Sequence, residues 1–102
     1  MDDKTALKKL QKQYEKLLRE SKFDRAAIVV EEIVAKQEKA LGPDHPDVAG
    51  SLNDLGFIYN TLGDYQKAEP LYKRSLEIYE KVLGPDHRDV ALSLFDLGNV
   101  FF

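Results

Sequence analysis

The phrase LGPDHPDV at Leu41–Val48 returns as LGPDHRDV at Leu83–Val90, forty-two residues later. The correspondence continues past the phrase: Ala49, Ser51, Leu52, Asp54, Leu55 and Gly56 return as Ala91, Ser93, Leu94, Asp96, Leu97 and Gly98. A period of this size marks a supersecondary unit stacked on copies of itself, each covering its neighbour's apolar face. Extended backwards, the same offset sets Leu10 on Leu52, Phe23 on Tyr65, Ala26 on Ala68 and Leu41 on Leu83. Only 5 of the 35 positions from Leu7 to Leu41 are identical to Ala49–Leu83, the divergence expected of an end unit with one face in water.

Within the repeat the periodicity is helical. Leu7, Leu10, Tyr14 and Leu17 recur on one helix face between about Thr5 and Glu20. A polar turn from Ser21 to Asp24 follows, with Ser21 or Asp24 available as the next cap. The segment RAAIVVEEIVAKQEKAL is dense in β-branched residues and alone would pass for a buried strand; its register with the later unit makes it a second helix. In the repeated phrase Gly42 is suited to a left-handed stop and Pro43 prevents continuation. Asp44 or His45 can cap the next helix, Pro46 suits its first turn, and Asp47 opposes the positive end of its dipole.

The third helix is expected over about Pro46–Thr61, burying Val48, Leu52, Leu55, Tyr59 and Leu62. Gly63 ends it, and Asp64 caps a fourth helix over about Tyr65–Val82. Pro70 inside that helix predicts a kink or a loose first turn, with Leu71, Tyr72, Ser75, Leu76 and Tyr79 packing beyond it. Gly56 and Ala68 read as points of close helix contact. A fifth helix starts near His87. The expected fold is all-α: one domain, 1–102, built as a right-handed α-solenoid of antiparallel helical hairpins. Its parts are a divergent hairpin at about 5–41, a second at 46–83, and an unpaired helix at 87–102.

Totals exclude several functions. Lys plus Arg is 15 and Asp plus Glu 18, and the first 41 residues are net +2 while the rest are net −5. This balance disfavours backbone-neutralising binding, so no nucleic-acid partner is expected. The absence of cysteine removes disulfides, thiol nucleophiles and cysteine-based zinc sites. No apolar run approaches the roughly 18 residues of a membrane span, and the charged N-terminus is not signal-like, so a cytoplasmic protein without a membrane partner is expected.

The second unit, SLNDLGFIYNTLGDYQKAEPLYKRSLEIYEKVLGPDH, resembles the tetratricopeptide repeat, in the forty-two-residue variety of kinesin light chains. Leu55 and Gly56 match its leucine–glycine pair, Tyr59 its first-helix tyrosine, Ala68 and Ser75 its small second-helix positions, and Tyr72 the aromatic between them. Leu52 fills the opening position, and the proline-containing AEPLYKRSLEI run and the LGPDHPDV linker also look like that variety. In the first unit Gln13 and Tyr14 replace the leucine–glycine pair. The resemblance implies a non-catalytic module that holds a partner protein or peptide on the concave face lined by the first helix of each unit.

Helical spacing then nominates residues. Opposite the core stripe stand Gly50, Asn53, Asp54, Phe57, Asn60 and Thr61 on the third helix. Leu92, Phe95, Asp96, Asn99 and Phe102 take that place on the fifth, and Lys8, Gln11, Lys12, Glu15, Leu18 and Arg19 on the first. Such a surface runs from basic to aromatic and acidic, and suits a peptide with an acidic segment beside an apolar anchor. Phe57, Phe95 and Phe102 are either peptide contacts or packing against helices or a second copy. Asn53 resembles the asparagine with which such repeats hold a peptide backbone, although a surface residue reads the same way. His45 and His87 occupy equivalent linker slots and are read as structural. No nucleophile–base pair, phosphate loop or metal-spaced cluster occurs, so neither catalysis nor a cofactor is expected. A rival reading is self-assembly, with a homodimer as one form of it, through Leu94, Leu97, Val100 and Phe101 on the uncovered fifth helix.

Overall fold

The structure, a computed structural model, describes residues 3–84; every expectation for the fifth helix lies outside these residues. The described residues form α1 (Asp3–Arg19), α2 (Phe23–Leu41), α3 (Pro46–Thr61) and α4 (Tyr65–Leu83). Each helix packs on the next in sequence, α1 on α2, α2 on α3 and α3 on α4. This is the layered helix-on-helix order of a solenoid. The β-branched segment is helix α2, with Ala26, Val30 and Ile33 sealed between α1 and α3.

The repeat written in the sequence recurs in the hydrogen bonds. After α1, Ser21 N–H donates to Leu18 O (3.0 Å) and Lys22 N–H to Leu17 O (2.9 Å). Forty-two residues on, Gly63 N–H donates to Asn60 O (3.0 Å) and Asp64 N–H to Tyr59 O (2.8 Å), the same closing motif. The second stop repeats too: Gly42 N–H to Glu38 O (2.9 Å) and Gly84 N–H to Glu80 O (3.1 Å). These two glycines do not take the left-handed helical conformation expected for Gly42. Their φ/ψ of 95/157° and 92/158° combine positive φ with an extended ψ, a region that excludes side chains more strictly.

Capping differs from expectation at one place. The N-cap of α2 is Lys22, which makes no side-chain cap bond, because Ser21 is committed to the turn at φ 57° and Asp24 already lies inside the helix. At α3, His45 Nδ1 accepts from Asp47 N–H at 3.0 Å, so the histidine is the cap and Asp44 is free to pair with Lys81 (2.7 Å). At α4, Asp64 Oδ1 accepts from Lys67 N–H at 3.3 Å. The first turn of α4 is therefore fastened rather than loose, and the helix runs without interruption through Pro70.

The core is wider than one stripe per helix. Val48, Leu52 and Leu55 are buried as expected, but so are Ala49, Ser51 and Ile58, because α3 is covered on two sides, by α2 and by α4. Leu62 is 47% exposed: it ends the helix beyond the reach of either neighbour. Gly56 explains the closest approach. A Cβ there would lie 2.8 Å from Tyr72 Cε1, and Tyr72 is itself fully enclosed. Ser75, also enclosed, donates its hydroxyl to Ala49 O at 2.8 Å and so joins α4 to α3 without an orphaned polar group. Arg74 spans to Glu38 (2.9 Å) and to Pro43 O (3.4 Å), tying α4 to the linker between the units.

Candidate binding face

Sequential packing joins α1 and α3 through α2, with no direct packing of one on the other. Between them opens a depression of about 490 Å³ lined by Gln11 of α1, Gln37 of α2, the Pro46–Asp54 side of α3 and Tyr79 of α4. Its floor is polar within an otherwise apolar layer. Gln37, 6% exposed, accepts the Ser51 hydroxyl at 2.6 Å, and Tyr79 Oη sits against Gly50, 3.4 Å from where a Cβ would be.

Asp54 stands at this depression. Its surface is open to solvent, yet neighbouring helices wall it closely enough that desolvation pushes its carboxyl up to about 6. Tyr14 of α1 lies within electrostatic reach of it: the Tyr14 hydroxyl is pushed up to about 12 by burial and then by the charge of Asp54. Among the described residues no lysine or arginine is paired with Asp54, whereas Glu20, Glu38, Asp44, Asp64 and Glu69 each have one.

One turn further along α3, Phe57 is 51% exposed, so it is a surface aromatic and not part of the core. Asn53 and Asn60 are half-buried beside it, and Lys12 and Arg19 are exposed on α1. The structure thus puts Asn53, Asp54, Phe57 and Asn60 on one stripe. Leu18, grouped with the α1 surface by spacing, instead packs half-buried against the core. Phe95, Asn99, Leu94, Leu97, Val100 and Phe101 fall outside the described residues. Gln37, Ser51 and Tyr79 were not singled out from sequence as lining the face. Gln37 had a visible signal, as a polar residue in register with Ile33 and Val34 on the buried side of α2.

A second depression, about 390 Å³ and mostly apolar, lies where α2, α3 and α4 meet, around Leu55, Tyr59, Pro70 and Leu71. Tyr59 donates its hydroxyl to Glu31 at 2.5 Å, and that bond is the first cause of the rise of its pKa to about 12. Lys67 Nζ lies 5.3 Å from the Tyr59 ring centre, within cation–π range.

The tetratricopeptide repeat family model matches residues 17–81 and, in a second placement, 47–102. Among solved structures, the crystal structure of BtubC (BKLC) from P. vanneervenii superposes with a TM-score of 0.87 at 22% identity. The alignment covers 99% of this chain and 40% of that one, so the chain spans less than half the length of this structural neighbour. No curated protein sequence matches. With the family model covering most of its length and its backbone bonds recurring at the forty-two-residue period, the chain belongs to the tetratricopeptide repeat family.

Proposed function

We propose that this chain is a non-catalytic protein-interaction module that holds a segment of a partner protein along the face shared by α1 and α3. Repeats of this family generally mediate protein–protein contact, and the family is generally a scaffold without chemistry of its own. The observation that carries the choice of face is Phe57. A half-exposed phenylalanine beside a walled depression offers an apolar anchor next to polar groups, the composition of an interface hot spot. Asn53 and Asn60 supply amides for a peptide backbone, and Lys12 and Arg19 supply positive charge at the α1 end. The module is assigned to the cytoplasm, in keeping with its cysteine-free sequence.

Peptides selected from a random displayed library against the whole chain test the reading. Amide chemical shifts on binding should move at Asn53, Asp54 and Phe57, and Phe57→Ala should weaken binding by about tenfold or more, the loss of a single anchor. Shifts confined to Ile28 and Tyr65, exposed on α2 and α4, would place the interface elsewhere. Self-association through Leu94, Leu97, Val100 and Phe101 is the alternative. Light scattering that shows a dimer, dispersed by changing Val100 and Phe101 to Glu, would favour it.

A further inference from the structure

We infer that copies of this chain join head to tail, the lysine-bearing flank of α1 in one copy docking on the outer flank of α4 in the next. The repeat holds an occupied example of such a contact. Arg74 and Lys81, seven residues apart on α4, grip the first unit's second helix and its linker. Arg74 pairs with Glu38 at 2.9 Å and donates to Pro43 O at 3.4 Å, and Lys81 pairs with Asp44 at 2.7 Å. All three acceptor residues return in the sequence forty-two positions later, as Glu80, Pro85 and Asp86. Glu80 is exposed, and its carboxylate has no ion-pair partner among the described residues. Coverage differs between the units in the same sense. Phe23 packs against the core and Val34 is 8% exposed, whereas their counterparts on α4, Tyr65 and Leu76, are 53% exposed and half-buried. Tyr65, Leu76 and Glu80 share one flank of α4, and Glu80 lies about 100–120° around the helix from Lys81 and Arg74, so this flank is turned away from α2.

The charges that fit this flank lie at the other end of the chain. Lys4, Lys8, Lys9, Lys12, Lys16 and Arg19 on α1 are exposed, and none takes part in an ion pair among the described residues. On α4, by contrast, Lys67, Lys73, Arg74 and Lys81 are all paired. Lys9 and Lys16 repeat the seven-residue spacing of Arg74 and Lys81, which sets two cations on one stripe about 10 Å apart. That stripe lies roughly 140–160° around α1 from Gln11, which borders the depression toward α3, so the contact leaves the proposed partner-binding face open. The whole chain carries the matching asymmetry, net +2 over residues 1–41 and net −5 over 42–102. Each flank repels its own kind and attracts the other, so the contact is heterologous and extends past two copies instead of closing. Its ions are exposed and its apolar cover is small, which makes it weak and salt-sensitive.

Sedimentation velocity of the whole chain from micromolar to millimolar concentration tests this. At about 20 mM salt the mean mass should climb past that of a dimer, and about 0.5 M salt should weaken association about tenfold or more. Lys9→Glu combined with Lys16→Glu, and separately Glu80→Lys, should each give a folded monomer with the parent's helicity. Mixed in equal amounts, the two variants should associate again, because each reversed flank then meets its complement. A monomer under every condition would overturn the inference and leave the α4 flank to another occupant, such as a further repeat. Association that stops at a dimer, resists salt and survives both reversals would also overturn it, in favour of the contact through Leu94, Leu97, Val100 and Phe101.

Discussion

The two hairpins share a backbone and distribute bulk in opposite ways. In the second, α3 offers Gly56 and α4 fills the space with Tyr72. At the equivalent positions of the first, α1 carries Tyr14 and α2 carries Val30. The large ring has moved from the second helix of the unit to the first. The consequence reaches the binding face: Tyr72 is sealed inside its hairpin, whereas Tyr14 stays half-buried on α1 and lies within electrostatic reach of Asp54. The hairpins differ at their turns as well. The second has Gly63 at φ 82° and an aspartate cap, while the first forces Ser21 to φ 57° and leaves Lys22 as an uncapping residue. One repeat geometry therefore tolerates two side-chain solutions, and the end unit uses the less regular one.

The largest effect expected comes from transplanting bulk. Gly56→Tyr alone should destabilise by about 3 kcal/mol or more, since the enclosed Tyr72 ring cannot yield to it. Combined with Tyr72→Val, which recreates the first hairpin's arrangement, it should recover at least half of that loss in urea denaturation. If the double variant is no better than Gly56→Tyr, the exchange of bulk between helices is not the relation between the two units.

The caps come next. Asp64→Ala should cost about 1 kcal/mol, while Lys22→Asp, which supplies the missing cap to the first hairpin, should gain about 0.5–1 kcal/mol. Equal responses would mean that the two turns are energetically alike despite their different bonds.

Asp54 separates function from stability. Its folded pKa, about 6, lies above the ordinary 3.8, so the native state holds the proton more tightly than the unfolded chain. Stability is then lost as pH rises from about 4 through 6, where the native carboxyl must ionise against desolvation. Asp54→Asn should stabilise the unliganded chain at pH 7.5 by about 1 kcal/mol, a figure already reduced for an open, solvent-screened group. That advantage should vanish below about pH 4. A thermal melt series across pH would show it, and a pH-independent difference would remove the desolvation argument.

The smallest change expected is Ser21→Gly. Relief of the positive φ, set against added chain entropy, should leave a gain of about 0.5 kcal/mol. The same substitution in reverse, Gly63→Ser, should cost a similar amount, and a gain there would show that the turns do not correspond.

Most of the architecture was legible because a repeat writes its own register. Leu41–Val48 and Leu83–Val90 fixed the period, and that period turned the β-branched α2 from an ambiguous segment into a helix. Stops and starts were legible wherever one residue type has one use, as at Gly63, Asp64 and Pro46. Where several polar residues could serve, as Ser21 and Asp24 before α2 or Asp44 and His45 before α3, only the folded turn chose, because capping depends on which side chain the backbone angle aims at the free N–H groups.

The exposed stripe of Asn53, Asp54, Phe57 and Asn60 could be read from helical spacing alone, since it needs only one helix and its buried side. The depression beside it could not. Gln11, Gln37, Ser51 and Tyr79 come from four helices and acquire a common wall only when α2 holds α1 and α3 apart. Helical periodicity determines which face of each helix is covered. Packing distance, set here by Gly56 against Tyr72 and by the apolar layer of α2, decides what the uncovered faces enclose and how far water is withdrawn from Asp54.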